Sequence, residues 1–340
     1  MSSLLVVAGE SAANARPWLI DYPAGRVRPL TNDFTCYRGI VLTQDGKMFS
    51  TVQAHGVVNL WTAPEGDADR ATKLGTGNVN FYASAGNNVS WTPDGRIAFV
   101  SNQGGKADIW LVDPDGANRK QLTSSDSMNL SPVVSADGRY VVYVSLRSIE
   151  RNIWRMDLDG GNPVRLTSGA TDSFPSITPD GRWVVYSNFD GVKPTIWKVS
   201  IDGGKPFQIT PHSASAAVVS PDGNSLAYLY SETSDQYVPN RLAVTSFEGG
   251  GSMKTFEIPL SPSVLTVLQW SPDGKSVLYT ATSNNVTNIW SQPLDGGPAK
   301  QVTNFKEMLI TSFAWSRDGK QLACSRGTLV RDAILVSDVN

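Results

Sequence analysis

The chain has little of what most enzyme chemistry uses. Its 340 residues include two histidines, His55 and His212, and two cysteines, Cys36 and Cys324. Two cysteines make no disulfide framework, and both sit in apolar, strand-like runs where a thiol packs as a small hydrophobe. A zinc site is short of donors for the same reason. Charge of one sign is also missing: 29 basic residues face 31 acidic ones, with no basic block to follow a phosphate backbone, which argues against nucleic acid as a partner. No run approaches the roughly 20 apolar residues of a membrane helix, so direct membrane insertion is not expected. The apolar run Leu4–Ala8 is too short, and lacks the basic flank, for a secretory leader. No Gly-rich phosphate loop, HRD-type loop or DFG-type metal site occurs, and NDFTC (32–36) is a chance near-match. AGESA (8–12) resembles a serine nucleophile turn only superficially, because no helix pattern follows Ser11.

Repetition is what the sequence has in quantity. The phrase NIWRMDLDGGNPVRLT (152–167) returns as DIWLVDPDGANRKQLT (108–123), TIWKVSIDGGKPFQIT (195–210) and NIWSQPLDGGPAKQVT (288–303). A second phrase interleaves: WTPDG, VSADG, ITPDG, VSPDG, WSPDG and WSRDG, with LTQDG (42–46) as the outlying copy. Its Asp falls at 45, 94, 137, 180, 222, 273 and 318, so the intervals are 49, 43, 43, 42, 51 and 45 residues. That period matches a four-stranded propeller blade.

Each unit parses into an apolar first strand ending at the Asp-Gly turn, an alternating second strand, a third carrying Ile-Trp and a fourth ending in Leu-Thr. Gly after Asp supplies the positive φ of a tight hairpin. Trp18, Trp61, Trp110, Trp154, Trp197 and Trp290 share the third-strand slot, and Trp91, Trp270 and Trp315 lie three residues before the turn Asp. Even spacing points to packing between sheets and away from an aromatic cage. The expectation is an all-β chain, a β-propeller of four-stranded antiparallel blades forming one domain over 1–340. It comprises a partial N-terminal blade (1–31), six complete repeats (32–303) and a partial C-terminal blade (304–340). Two partial blades make a ring of eight; if the N-terminal fourth strand completes the last blade, the ring has seven.

Asp-x-Asp-Gly at Asp113–Gly116 and Asp157–Gly160 resembles the opening of a calcium loop, but position twelve is Ser124 or Ser168, where a Glu is needed. A hairpin between third and fourth strands explains the motif, and no metal or other cofactor is expected. Connections from fourth to first strand and from second to third share one rim, and these vary while the opposite rim keeps its turns. Aromatic and Arg residues in the variable loops are the candidate contact anchors: Phe34, Tyr37, Arg38, Phe81, Tyr82, Arg147, Phe174, Phe189 and Tyr237. No catalytic set assembles by spacing. The reading is a non-catalytic, monomeric propeller that binds a protein or small ligand at its rim. A metal-assisted lyase or hydrolase acting on a polymer, and a purely architectural module, stand as alternatives.

SPDGKSVLYT (271–280), SADGRYVVYVS (135–145) and IWRMDLDGGNPVRLT (153–167) resemble the PD40 or TolB-like class of WD40-related propellers over nearly the whole chain. TNIWSQPLDGGPAKQVTNFK (287–306) and FAWSRDGKQLACSRGT (313–328) resemble the C-terminal propeller of bacterial receptor-type serine/threonine kinases. That second resemblance implies a sensor or interaction module of a larger signalling protein, lying outside the cytoplasm. The unit at 222 departs from the pattern, with RLAVTSFEGG in place of the Ile-Trp phrase and an insertion at 231–240.

Overall fold

Residues 2–8, 16–31, 36–75, 88–103, 106–124, 126–147, 150–190, 193–231, 241–249, 253–259 and 266–337 are described in the computed structural model. Their regular structure is almost entirely strand; the one short helical turn among them is Ala68–Arg70, and no helix among them is long and apolar enough to cross a membrane. Two compact units emerge: Met1–Val57 with Thr328–Asn340, and Val58–Gly327. The first holds a three-stranded antiparallel sheet, Ser2–Ala8, Arg16–Tyr22 and Val27–Pro29. It also holds the antiparallel pair of Cys36–Leu42 with the start of Met48–Pro64.

The second unit is a closed ring of six four-stranded blades. Blade 1 consists of Val89–Trp91, Ile97–Ser101, Asp108–Val112 and Lys120–Gln121. Blade 2 is Met128–Val134, Tyr140–Arg147, Glu150–Asp157 and Val164–Arg165. Blade 3 is Asp172–Ile177, Trp183–Asn188, Thr195–Ser200 and Phe207–Gln208. Blade 4 is Ala214–Val219, Ser225–Tyr230, Arg241–Ser246 and Lys254–Glu257. Blade 5 is Leu268–Trp270, Ser276–Ser283, Val286–Pro293 and Lys300–Gln301.

Blade 6 is mixed. Its inner strands are Leu309–Trp315 and the 321–327 part of Gln321–Ser337; its outer strands are the 58–64 part of Met48–Pro64 and Thr72–Lys73. The join has the geometry of the other blades. Glu65 N donates to Lys320 O at 2.7 Å, as Leu158 N does to Arg139 O at 3.1 Å in blade 2. The expected count of eight or seven is therefore corrected to six for this ring. The first complete repeat is divided: its outer half closes the ring against the last repeat, and the strands of 1–31 form a sheet in the other unit.

Hydrogen bonds tie every blade to the next. Val134 N donates to Ser90 Oγ at 3.1 Å, Arg151 N to Ala170 O at 2.9 Å and Val219 N to Ser176 Oγ at 3.2 Å. Trp270 Nε1 donates to Val218 O at 3.0 Å, Trp315 N to Gln269 Oε1 at 3.1 Å and Trp91 Nε1 to Ala314 O at 2.9 Å. With a blade on either side, a second strand is covered on both faces: Tyr140 through Val144 are all buried, so its alternation does not mark a solvent face. The third-strand tryptophans of the ring distribute as the spacing implied. Trp61, Trp110, Trp154, Trp197 and Trp290 each pack on a different core cluster.

The recurring phrases have local causes. In SADGR, Ser135 Oγ donates to Asp137 Oδ1 at 2.7 Å, that oxygen accepts Arg139 N at 3.0 Å, and Ser135 Oγ accepts Tyr140 N at 2.9 Å. Blades 3 to 6 repeat the pattern from Thr178, Ser220, Ser271 and Ser316. The turn glycines also abut the preceding blade. A Cβ on Gly138 would meet Pro93 at 3.1 Å, one on Gly319 would meet Pro272 at 3.4 Å, and one on Gly274 would meet Pro221 at 3.8 Å. Leu-Thr endings serve the third strand: Thr123, Thr167, Thr210 and Thr303 accept the N–H of Ile109, Ile153, Ile196 and Ile289 at 2.9–3.0 Å. Asp113 and Asp157 close hairpins, as expected. Gly116 N donates to Asp113 O and Gly160 N to Asp157 O, both at 2.9 Å, while Asn118 and Asn162 bond the two carboxylates.

Gly160 sits at φ +94° with a would-be Cβ 2.6 Å from Leu122 O, whereas Gly203, at φ +86°, has open space there. Gly203→Ala is expected to cost about 1–2 kcal/mol for the left-handed backbone alone. Gly160→Ala adds a clash with a fixed carbonyl worth about 1–3 kcal/mol more. Denaturant titrations of the two variants check the order. The turn carboxylates Asp94 and Asp180 are pulled down to about 2, first by their Arg96 and Thr178 side-chain hydrogen bonds respectively. A depressed folded value stabilises above the unfolded value of about 4 and is lost as pH falls through it. Denaturation midpoints should therefore fall between about pH 4 and 2, less steeply in Asp180→Asn.

Candidate functional site

The two rims of the ring differ. The lower rim is made by first-to-second and third-to-fourth turns, and its first-to-second turns repeat the Ser/Thr-x-Asp-Gly corner. Pro holds the second place of this corner in four of the ring's six copies, with Ala136 and Arg317 in the other two; Arg317 departs most. Its guanidinium donates to Ser135 O at 3.1 Å and to Ala136 O, reaching past blade 1 to the turn of blade 2.

The upper rim repeats much less, and several distinct constructions occupy it. The first is an Arg stacked on a third-strand Trp. Arg147 lies 3.8 Å over Trp154 on blade 2, while Arg326 lies 5.0 Å over Trp61 and 3.7 Å over Phe305 on blade 6. Arg147 is exposed; Arg326 is 5% exposed. Phe305 is held by Asn288, which accepts its N–H at 2.8 Å and donates to its carbonyl at 3.1 Å.

The second is an aromatic pair on blade 3, Phe174 and Phe189, with centroids 6.1 Å apart. Phe174 occupies φ +56° where the first strand bulges between Ser173 and Ser176. Ser131 and Ala216 take the same left-handed position on blades 2 and 4. Such a conformation is costly for a side-chain-bearing residue and persists where the surroundings over-determine it. Each bulge turns one residue of an inner strand out of the regular alternation at this rim.

Next to that pair is a carboxylate knot. Asp190 accepts Ala170 N at 2.9 Å and Thr171 N at 2.6 Å, and Asn188 Nδ2 donates to Asp172 Oδ1 at 2.9 Å. A Cβ on Gly169 would lie within 3 Å of both carboxylates, so only glycine fits between them. Asp172 is buried, its Oδ2 has no hydrogen-bond partner, and burial raises its carboxyl above the usual range. The fourth construction is on blade 4. His212 Nε2 lies 3.1 Å from Tyr228 OH, and its ring meets Tyr230 edge-on at 5.1 Å. Burial, with help from Lys193, lowers the imidazole pKa, which favours its neutral form. His212 is thus a histidine held by a hydrogen bond and ring contacts within its blade.

Of the nine candidate anchors, Arg147, Phe174 and Phe189 share the upper rim of neighbouring blades 2 and 3. Tyr37 lies in the other unit, on Cys36–Leu42, and is 3% exposed. Arg38 follows it on that strand, with its side chain outside the described part, as are the side chains of Cys36 and His55. Phe34, Phe81, Tyr82 and Tyr237 lie outside the described residues, as does Ser11. Cys324 is fully buried, and desolvation pushes its thiol up to about 12, so it packs and does not react. Sequence reasoning missed Arg326, which reads as the end of a strand, and Asp172, which reads as a loop polar residue. Among the described residues no group of three His, Cys, Asp or Glu side chains is arranged to hold a metal ion.

Comparison with known proteins follows the same lines. The TolB beta propeller domain family, PD40, matches residues 44–216, about half of the chain. A Protein TolB homolog of Chlorobium chlorochromatii is 28% identical over 149 residues, 43% of this chain and 32% of that protein. A Protein TolB homolog of Chlorobaculum tepidum is 45% identical over 53 residues, 16% of this chain and 12% of that protein. The chain thus spans a third or less of the length of these relatives. Among solved structures, TolB from Acinetobacter baumannii superposes with a TM-score of 0.55 at 16% identity, covering 97% of this chain and 82% of that one. A chain of a nidogen/laminin complex gives 0.54 at 12% identity, covering 78% of this chain and 96% of that one. At these identities the structures speak to the fold.

Asp172 offers a test of the rim's electrostatics. A carboxyl whose folded pKa is raised stabilises while protonated and loses that contribution as pH rises through the folded value. Asp172→Asn keeps an acceptor toward Asn188 and puts an amide where the orphan oxygen is. The variant is expected to match wild type near pH 3 and to be the more stable protein at pH 7. Urea midpoints at the two pH values check this; a variant less stable at pH 7 would refute it.

Proposed function

The chain belongs to the TolB β-propeller domain family, and from that premise we propose that it is a non-catalytic protein-binding module whose partner contacts the upper rim of the six-bladed ring. One observation carries the reading: the first-to-second turns on one rim of the ring repeat a single Ser/Thr-x-Asp-Gly corner, while the opposite rim carries several different constructions. A rigid scaffold with one variable face is the arrangement in which loops supply recognition. The side chains on that face suit the role. Stacked Arg–Trp pairs and a Phe pair are the residue types that anchor interfaces, and their hydrogen-bonded loops keep ordering costs on binding low.

Two upper-rim groups with perturbed acidity have structural neighbours and no assembled catalytic partner among the described residues. Asp172 is bonded by Asn188, and His212 meets a tyrosine hydroxyl and no nucleophile. The likeness of 287–306 and 313–328 to receptor-kinase propellers supports placing the module in a larger bacterial signalling protein as its ligand-recognising part.

A displayed library of random twelve-residue peptides, selected on the purified chain, tests the rim. Arg147→Ala with Phe189→Ala is expected to weaken selected peptides at least about tenfold, the effect of losing one good anchor. Arg317→Ala, on the lower rim, should leave affinity within about twofold. The reverse pattern would move the site to the other rim.

A further inference from the structure

We infer that Arg326 is the centre of an oxyanion site on the upper rim that takes a carboxylate from a partner segment; the identity of the occupant rests on the rim reading above. The starting point is a buried charge with no ion-pair partner among the described residues. A guanidinium stays ionised in proteins, and Arg326 is 5% exposed. The rings of Trp61 and Phe305 lie against the guanidinium, giving cation–π attraction and keeping it from turning. Its only acceptor among the described residues is Glu307 O, 3.2 Å from Nη2. Nε is buried with no acceptor, and Nη1 has none among the described residues.

Arg147 is the internal control. It makes the same Arg-on-Trp stack on blade 2, but it is exposed, so water balances its charge. On blade 6 solvent reaches only a small part of the guanidinium. The burial that lowers the basicity of Arg326 leaves unpaired donors on a planar edge whose geometry fits two oxygens on one atom. The setting is also fixed in advance: Asn288 clamps Phe305 from both sides, and Thr303 Oγ donates to the same Asn288 oxygen at 3.0 Å.

The charge count selects a carboxylate over a phosphate. The charge of Glu307 already acts on Arg326 and raises its pKa, and the nearby Lys306 amine is committed to Asn304 Oδ1 at 2.7 Å. With Glu307 offsetting part of the Arg326 charge, a dianion meets more repulsion there than a monoanion does. An Asp or Glu side chain, or a chain terminus, of a bound protein supplies that group.

The test uses sodium acetate as the carboxylate probe, replacing sodium chloride at constant ionic strength, with inorganic phosphate in parallel. In nitrogen-15-labelled protein the Arg326 Nε–H signal, assigned by its absence in Arg326→Lys, is expected to shift saturably with acetate and less with phosphate. Acetate at about tenfold its Kd should raise the melting temperature of wild type by about 2–4 °C over chloride. Arg326→Lys, which keeps the charge but loses the planar edge, should show no such gain. Equal effects of acetate and chloride on both readouts overturn the site, and a stronger response to phosphate overturns the carboxylate assignment. Rim-dependent peptide selection without an acetate effect removes this site and leaves the rim reading intact. An acetate effect without rim-dependent selection does the opposite.

Discussion

Everything in the ring depends on blades being covered on both faces. A four-stranded sheet whose two faces are both apolar is insoluble alone and becomes stable only between two others. The strand Tyr140–Arg147 shows the extreme, with both alternating sets buried until its last two residues. An open row of such sheets would leave two apolar faces in water, so the row has to close. Blade 6 does this by taking strands from two distant parts of the chain: 58–64 and 72–73 beside 309–315 and 321–327. Opening the ring then requires breaking a sheet, and not merely separating two packed surfaces.

The closure also explains where the sequence is legible and where it is not. Turns were readable because Ser/Thr-x-Asp-Gly solves a local problem with local atoms: hydroxyl to carboxylate, carboxylate to backbone N–H, hydroxyl to the N–H five residues on. Tryptophan columns were readable because packing between equivalent blades repeats at the blade period. Blade number was not, because closure is a choice between equivalent partners. The second strand of the first repeat and that of the last have the same pattern, so the third strand 58–64 finds a fitting neighbour in either. Nothing in the spacing separates the two. Structure resolves it by pairing that strand with 321–327 and counting six.

The candidate site divides along the same line. Arg147, Phe174 and Phe189 were visible because they fall in loops that break the repeat. Arg326 was hidden because it continues a strand, QLACSRG, at a position that carries Ser101, Ser145 or Tyr230 in other blades. A departure within a repeated element is informative only once the column is known, and the column is fixed by which strand pairs with which. Asp172 was hidden for a different reason. A polar residue at a loop-to-strand boundary reads as solvated, and only packing of blade 2 against blade 3 removes its water. Tyr37 is the converse case, an aromatic residue beside a loop that the fold buries.

These points bear on how such a ring acquires function without losing its fold. Lower-rim turns are tied to blade-to-blade contact: Gly138 on Pro93, Gly319 on Pro272, Arg317 on the Ser135 and Ala136 carbonyls. A change there is felt by two blades at once. In four blades the upper-rim loops leave from strands already locked by the Thr-to-Ile N–H bond at the end of the fourth strand. Past that bond the chain has fewer duties to the ring, such as the Ala170 carbonyl that accepts Arg151 N. It can bulge through left-handed residues such as Ser131 or Phe174, or bury a carboxyl such as Asp172 or a guanidinium such as Arg326, because the scaffold beneath does not need those atoms. Uncompensated groups such as Asp172 Oδ2 and Arg326 Nε are tolerated there for that reason, and a group that the fold does not need and cannot solvate is where a partner gains most by binding.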